Sequence, residues 1–200
     1  MTRYVRELFA ALSARSQDGR VTIERPAERR YFSGIADGPR ARRIDSAWSR
    51  YVAYPRSLKR RRAGVFHILD HGYAQLIRSL DPDRVVVTCH DLIPLLAAEG
   101  VIPIDVPAIV ARTFRMRIAQ LARARRVIAV SEATKATLER YTSVRPDRIV
   151  VIPYGVNPTF RYAANRTTTL RASAGLAEAS AIVLQVATSG RVKNTTVLLH

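Results

Sequence analysis

The chain has 200 residues, 48% of them hydrophobic and 24% charged, enough for one full core and the beginning of a second. No apolar run nears the roughly 20 residues that span a bilayer, the stretch after Met1 is too amphipathic for a secretory signal, and the single cysteine, Cys89, forms no internal disulfide, so a reducing cytoplasm is expected. The net charge of +17 points toward nucleic acid or anionic membrane, but 30 of the 33 basic residues are arginines, mostly dispersed, as codon usage in a GC-rich genome produces.

Val5, Leu8, Phe9 and Leu12 fall at i, i+3, i+4 and i+7. Residues 2–16 are therefore expected as a helix with one apolar stripe. An arginine- and glycine-rich stretch follows, in which Val21-Thr22-Ile23 is the strand-like piece. The dense run Arg56-Ser57-Leu58-Lys59-Arg60-Arg61-Arg62 reads as a solvated loop or helix end. Its functional alternative is a contact with anionic headgroups or phosphorylated substrates.

Short apolar runs then recur at 65–69, 85–89, 127–130 and 149–152, with a fifth at 181–187. They are β-branched and continuous rather than alternating, which suits strands of a parallel sheet covered on both faces. Between them a short helix is expected over 73–80 and a long amphipathic one over 106–126. Ser131 is placed to cap a further helix, Glu132 to Tyr141. Strands alternating with helices build βαβ units with right-handed crossovers. The fold class is α/β, an open doubly wound parallel sheet.

Ile152-Pro153-Tyr154-Gly155-Val156-Asn157-Pro158 closes a strand with turn residues. It divides a Rossmann-like domain, 1–157, from a linker, 158–172, and from the beginning of a second such domain, 173–200. Sheets of this class usually open with a strand feeding a glycine turn. This chain opens with the helix, so a strand upstream of Met1 is expected. One strand and part of a helix bury no core of their own, so the second domain is expected to be incomplete.

The chemistry-bearing residues gather at strand ends. Thr88-Cys89-His90-Asp91-Leu92-Ile93-Pro94 closes one run, and ligands bind at the carboxyl edge of open α/β sheets. His90 and Asp91 there suit acid–base work or a hydrogen-bonding clamp; the plainer alternative is a turn aspartate beside a half-buried histidine. His67-Ile68-Leu69-Asp70-His71-Gly72-Tyr73 closes the preceding run, so three of the four histidines lie at strand ends. Histidine and aspartate are metal ligands. However, His67 and His71 flank a strand-to-loop transition with no cysteine nearby, and no metal is expected. Gly190-Arg191-Val192-Lys193-Asn194 offers backbone amides and cations to a phosphate. Neither a Walker A spacing, a G-x-G-x-x-G at a strand end, nor a G-x-S-x-G elbow occurs.

Together these segments resemble the retaining GT-B glycosyltransferases of group 1, with an N-terminal domain of the subfamily 4 type. Val127 to Lys135, then Asp147 to Asn157 and Phe160, are similar to the passage that ends the acceptor domain and enters the interdomain linker. Tyr154 stands where that family usually has asparagine. Val87 to Pro94 is similar to its "HD" strand end. Leu184 to Thr188 with Lys193-Asn194 is similar to its donor-side loop, with Ala187 and Thr188 in place of a glycine and an arginine. Residues 1–8 are similar to the helix after its first glycine loop.

The resemblance implies a sugar passed from a nucleoside diphosphate sugar, with retention, to a glycan or lipid-linked acceptor, without a metal or other cofactor. It assigns His90 and Asp91 to the catalytic cleft, and the strand-end run His67 to Tyr73 places His71 and Tyr73 on the acceptor side of that cleft. It assigns Lys193, with Arg191 and Asn194, to the donor diphosphate. It implies a cytoplasmic protein, peripheral at the inner face of the cell membrane. The family's E-x7-E segment would follow His200, so these 200 residues alone are expected to turn over little. The alternatives are a catalytically inactive truncated glycosyltransferase and a basic nucleic-acid-binding protein. The second needs clustered cations with aromatics or a reading motif; aromatics are modest and no such motif occurs, and nucleic acid is not expected as a partner.

Overall fold

The four β-branched runs between 65 and 152 form one parallel sheet in the computed structural model, which describes residues 2–15, 21–26, 38–156 and 171–176. The strands are β1 (Phe66–Ile68), β2 (Val85–Cys89), β3 (Arg126–Ala129) and β4 (Ile149–Val151), in the spatial order β1-β2-β3-β4. The fold is α/β and Rossmann-like, as the strand–helix alternation requires.

Register explains which face is buried. In-register neighbours in a parallel pair point to the same side, so Ile68, Val87, Val127 and Ile149 make one continuous row across the sheet. Cys89, Ala129 and Val151 extend that face by a second row. It is covered by a 3-10 segment (His71–Ser79), by the helices of the next two crossovers and by their side chains Ala74, Ile77, Phe114, Ile118, Leu121 and Leu138, all buried. Each of the larger of these side chains, from Ile77 to Leu138, contributes about 1.5–3 kcal/mol on burial.

The opposite face carries His67, Val86, Thr88, Ile128 and Val150. Here α1 (Thr2–Arg15) approaches through Tyr4, whose hydroxyl lies 3.3 Å from Thr88 Oγ1. Thr88 is fully buried, while Val150 at the sheet margin is 40% exposed. Among the described residues this face is therefore covered only in part. The stripe on α1 is shorter than its spacing implied, since Val5, Leu8 and Phe9 are half-buried but Leu12 is exposed.

Several elements differ from the sequence expectation. Residues 21–26, with Val21-Thr22-Ile23, form no strand. Residues 39–58, masked in sequence by their arginines, are helical: α2 (Pro39–Trp48), a π-helical turn (Ser49–Ala53) and α3 (Tyr54–Leu58). The wide turn lies just before Pro55, whose missing N–H and bulky ring forbid a regular bond to the carbonyl four residues back. Arg56 to Arg62 is the end of α3 and the exposed turn after it, anchored by buried Leu58.

The helix read over 73–80 is instead the 3-10 segment, kinked at Tyr73 (φ −109°, ψ 16°). A short α4 (Ile93–Ala98) follows β2. It stops at Gly100, whose φ of 70° lets Val101 N–H reach Leu96 O at 2.8 Å, the hydrogen bond of a Schellman stop. The long helix of 106–126 resolves into α5 (Ala108–Ile118) and a 3-10 turn (Ala119–Arg123). Helix α6 (Glu132–Tyr141) has the bounds expected, and Ser131 Oγ accepts from Thr134 N–H at 3.1 Å. The run 181–187 lies outside the described residues.

Candidate active site

Parallel strands all end on one edge, so the residues following β1, β2 and β4 meet there. Leu69, Asp70 and His71 come from the first, His90 and Asp91 from the second, and Tyr154 from the third.

His90 is the hub. Its Nε2 lies 2.7 Å from the carbonyl oxygen of Leu69. A carbonyl can only accept, so Nε2 carries the proton and Nδ1 of the neutral ring is the acceptor. Nδ1 faces the hydroxyl of Tyr154, which donates to it. The Tyr154 ring stacks on the imidazole, with centroids 5.8 Å apart and planes 17° from parallel. Tyr4 of α1 stands edge-on to both rings, 5.6 Å from His90 and 5.4 Å from Tyr154. The His90 backbone N–H donates to His71 Nδ1 at 3.4 Å.

His71 is buried, edge-on to Phe114 of α5. Burial holds its pKa below the usual histidine value, against the opposing pull of Asp70 and Asp91. His71 is therefore a neutral acceptor near pH 7. Asp70 accepts from Gly72 N–H at 2.7 Å, which fixes the turn carrying His71. The Gly72 carbonyl is clasped by Arg50 of the π-helical turn at 2.5 Å and by Arg117 of α5 at 3.5 Å. Arg50 also lies 4.2 Å over the ring of Tyr73.

Behind the edge, His67 Nε2 is 2.8 Å from Thr88 Oγ1, the same oxygen that meets Tyr4. Burial lowers the His67 pKa as well, with His90 a smaller cause. Burial pushes the Cys89 thiol up to about 12, and Cys89 Sγ–H points at the Asp91 carbonyl, 3.6 Å away. Burial also raises the Tyr154 pKa, aided by Tyr4, Asp91 and Asp70, which keeps this phenol a donor.

The structure thus brings His90 and His71 together, their rings 6.2 Å apart. Asp91 is exposed beside them, its carboxylate accepting from Ile93 N–H at 3.2 Å to start the turn into α4. Tyr73 is partly buried against the core, with Arg50 over its ring. Arg191, Lys193 and Asn194 lie outside the described residues. Sequence reasoning passed over Tyr4, Tyr154, the Leu69 carbonyl, Arg50 and Arg117. Tyr154 was within reach of the strand-end rule, since it follows β4 just as His90 follows β2.

Among the described residues no three of His, Cys, Asp and Glu gather as a metal set, and no helix is long and apolar enough to cross a membrane. The arrangement offers one imidazole of fixed tautomer, a neutral histidine beside it and two phenol rings. Such a wall joins a few placed polar groups to aromatic surface, as small-molecule sites do. A family model described as Glycosyltransferase Family 4 matches residues 1–160. No curated protein and no solved structure matches the chain.

Proposed function

The chain belongs to glycosyltransferase family 4, and on that footing we propose that it moves a sugar from a nucleoside diphosphate sugar to a polysaccharide or lipid-linked acceptor, with retention at the anomeric carbon. The observation that supports this is His90 at the carboxyl end of β2, oriented through both ring nitrogens and walled by Tyr4, Tyr154 and His71. Sugar hydroxyls need such directed donors and acceptors, while the aromatic rings suit the C–H faces between them.

In this reading His90 positions the transferred sugar and exchanges a proton or hydrogen bond with one of its hydroxyls. His71 lies on the acceptor side, and Asp91 adds negative charge at the rim. Residues 158–172 act as the linker and 173–200 as the start of the donor-side domain. Lys193, Arg191 and Asn194 there stabilise the departing diphosphate by charge and hydrogen bonding.

The acceptor class brings a membrane surface with it. A groove of about 430 Å³ runs along α2 and α3, lined by Trp48, Val52, Ala53, Arg56, Ser57 and Arg60. Trp48 and Tyr51 are 42% and 49% exposed beside the basic turn. Aromatic surface flanked by cations suits an anionic headgroup layer, where each cation contributes about 1 kcal/mol.

The test is transfer of labelled sugar from UDP-glucose and GDP-mannose to a bacterial membrane-lipid extract, run with protein in stoichiometric amount so that a slow step still yields product. We expect lipid- or glycan-bound label that falls about 100-fold or more in His90→Ala. Product formed equally by His90→Ala would remove His90 from the reaction.

A further inference from the structure

Among the described residues, the strand-end segment 152–156 holds on to the sheet by little. Ile152 N–H donates to Ala129 O at 2.9 Å, continuing the β3–β4 ladder by one bond. Beyond it Ile152, Tyr154 and Val156 are 51%, 50% and 78% exposed, and a side chain at Gly155 would meet nothing within 4 Å. The ties given for this stretch among the described residues are those of Tyr154: its hydroxyl on His90 Nδ1, its ring on the imidazole, and the edge of Tyr4.

On the other side of the imidazole, the Leu69 carbonyl occupies Nε2. A neutral ring has one donor and one acceptor nitrogen, and both are engaged. His90 therefore presents no open nitrogen to a substrate hydroxyl in this arrangement. The only one that can be opened without breaking the turn after β1 is Nδ1, because its partner sits on the exposed segment.

We propose that Tyr154 is a positioning residue that latches His90: its hydroxyl occupies Nδ1 while its ring aligns the imidazole, and movement of segment 152–156 opens that nitrogen to a hydroxyl-bearing ligand. The latch joins the strand-end histidine to the stretch leading out of the sheet, so displacement of that stretch and availability of His90 become one event. The Leu69 carbonyl keeps its hydrogen bond from Nε2–H throughout, so in the neutral ring the nitrogen released is the acceptor. A phenol ordinarily ionises near pH 10, and the surroundings of Tyr154 move its pKa further up, so the latch does not loosen by ionisation near neutral pH.

This inference takes His90 as the cleft residue of the proposed transferase, but its test uses no sugar. Diethyl pyrocarbonate acylates unprotonated imidazole nitrogen, and peptide mass spectrometry resolves His90 from His67 and His71. Tyr154→Phe keeps the ring and drops the hydroxyl; Tyr154→Ala drops both. His90 should be modified about fivefold faster in Tyr154→Phe, the population change that loss of one hydrogen bond brings, and at least as fast in Tyr154→Ala. His67, held on Thr88, should keep its wild-type rate in both. An unchanged His90 rate in Tyr154→Phe overturns the latch, even if Tyr154→Ala reacts faster, because shielding would then belong to the ring. A rise shared by His67 overturns it too. Either failure leaves the transferase reading standing.

Discussion

Replacing Thr88 by valine tests how α1 and the sheet hold the site edge. Thr88 is fully buried in β2, and its Oγ1 is shared by His67 Nε2 at 2.8 Å and Tyr4 hydroxyl at 3.3 Å. Valine keeps the shape and strand preference, so packing is nearly unchanged and the hydroxyl alone is lost. Tyr4 is half-buried and turns to water at small cost. His67 Nε2 is left unpaired in a mostly enclosed place, which costs about 1–3 kcal/mol. For a chain of this size about 2 kcal/mol lowers Tm by roughly 4–8 °C. Urea unfolding reads the change as a lower midpoint at constant m. In a His67→Leu background no imidazole remains to strand, so Thr88→Val should cost little, leaving a coupling energy of about 1–2 kcal/mol. A Thr88→Val variant within about 0.5 kcal/mol of wild type, or an equal cost in both backgrounds, refutes the reasoning.

The acid side of the stability profile follows from His67 and His71. Burial holds both below 6.5 in the folded chain, so on acidification the unfolded chain takes up protons that the folded one refuses. The stabilisation is whole above pH ~6.5 and is lost below it, with a slope of up to about 1.4 kcal/mol per pH unit for each histidine. The urea midpoint should therefore fall between about pH 7.5 and 5.5, and a flat profile would show that both rings take up protons in the fold as readily as in the unfolded chain. Cys89, buried with its thiol pushed up to about 12, should resist a disulfide reagent in the native state and react at once in urea; fast native reaction contradicts the burial. Ser131→Ala removes the hydroxyl that caps α6 and should cost about 1 kcal/mol by urea unfolding, while Ser131→Asp, an equally good cap, should not.

What the sequence revealed, it revealed through period and punctuation. The run 85–89 matches β2 to the residue, since its β-branched stretch ends where the polar His90-Asp91 begins. Helix α6 was legible because Ser131 caps it. The helical stretch from Pro39 to Leu58 was not, since its arginines hide the apolar face and a π-helical turn shifts its period midway. Tyr73 closes the same strand-end run as His71, and neither the kink at that position nor the Arg50 guanidinium over its ring was legible in the sequence. His90 and His71 stood out in the sequence because a strand-end rule applies to single segments. Tyr4 and Arg117 come from elements distant in the chain, and only the packing of α1 and α5 brings them to the same edge.

The most direct test of the site is the histidine spectrum of the protein during titration with GDP-mannose, UDP-glucose and the lipid extract. The chain has four histidines, so each imidazole can be followed by itself. Binding at the carboxyl edge predicts that His90 moves most and His71 with it, while His67, screened behind Thr88, stays nearly still, and that His90→Asn weakens the response about tenfold or more, the scale of a lost hydrogen bond to a buried group. Saturation that leaves His90 and His71 unmoved would place the substrate elsewhere and contradict the account.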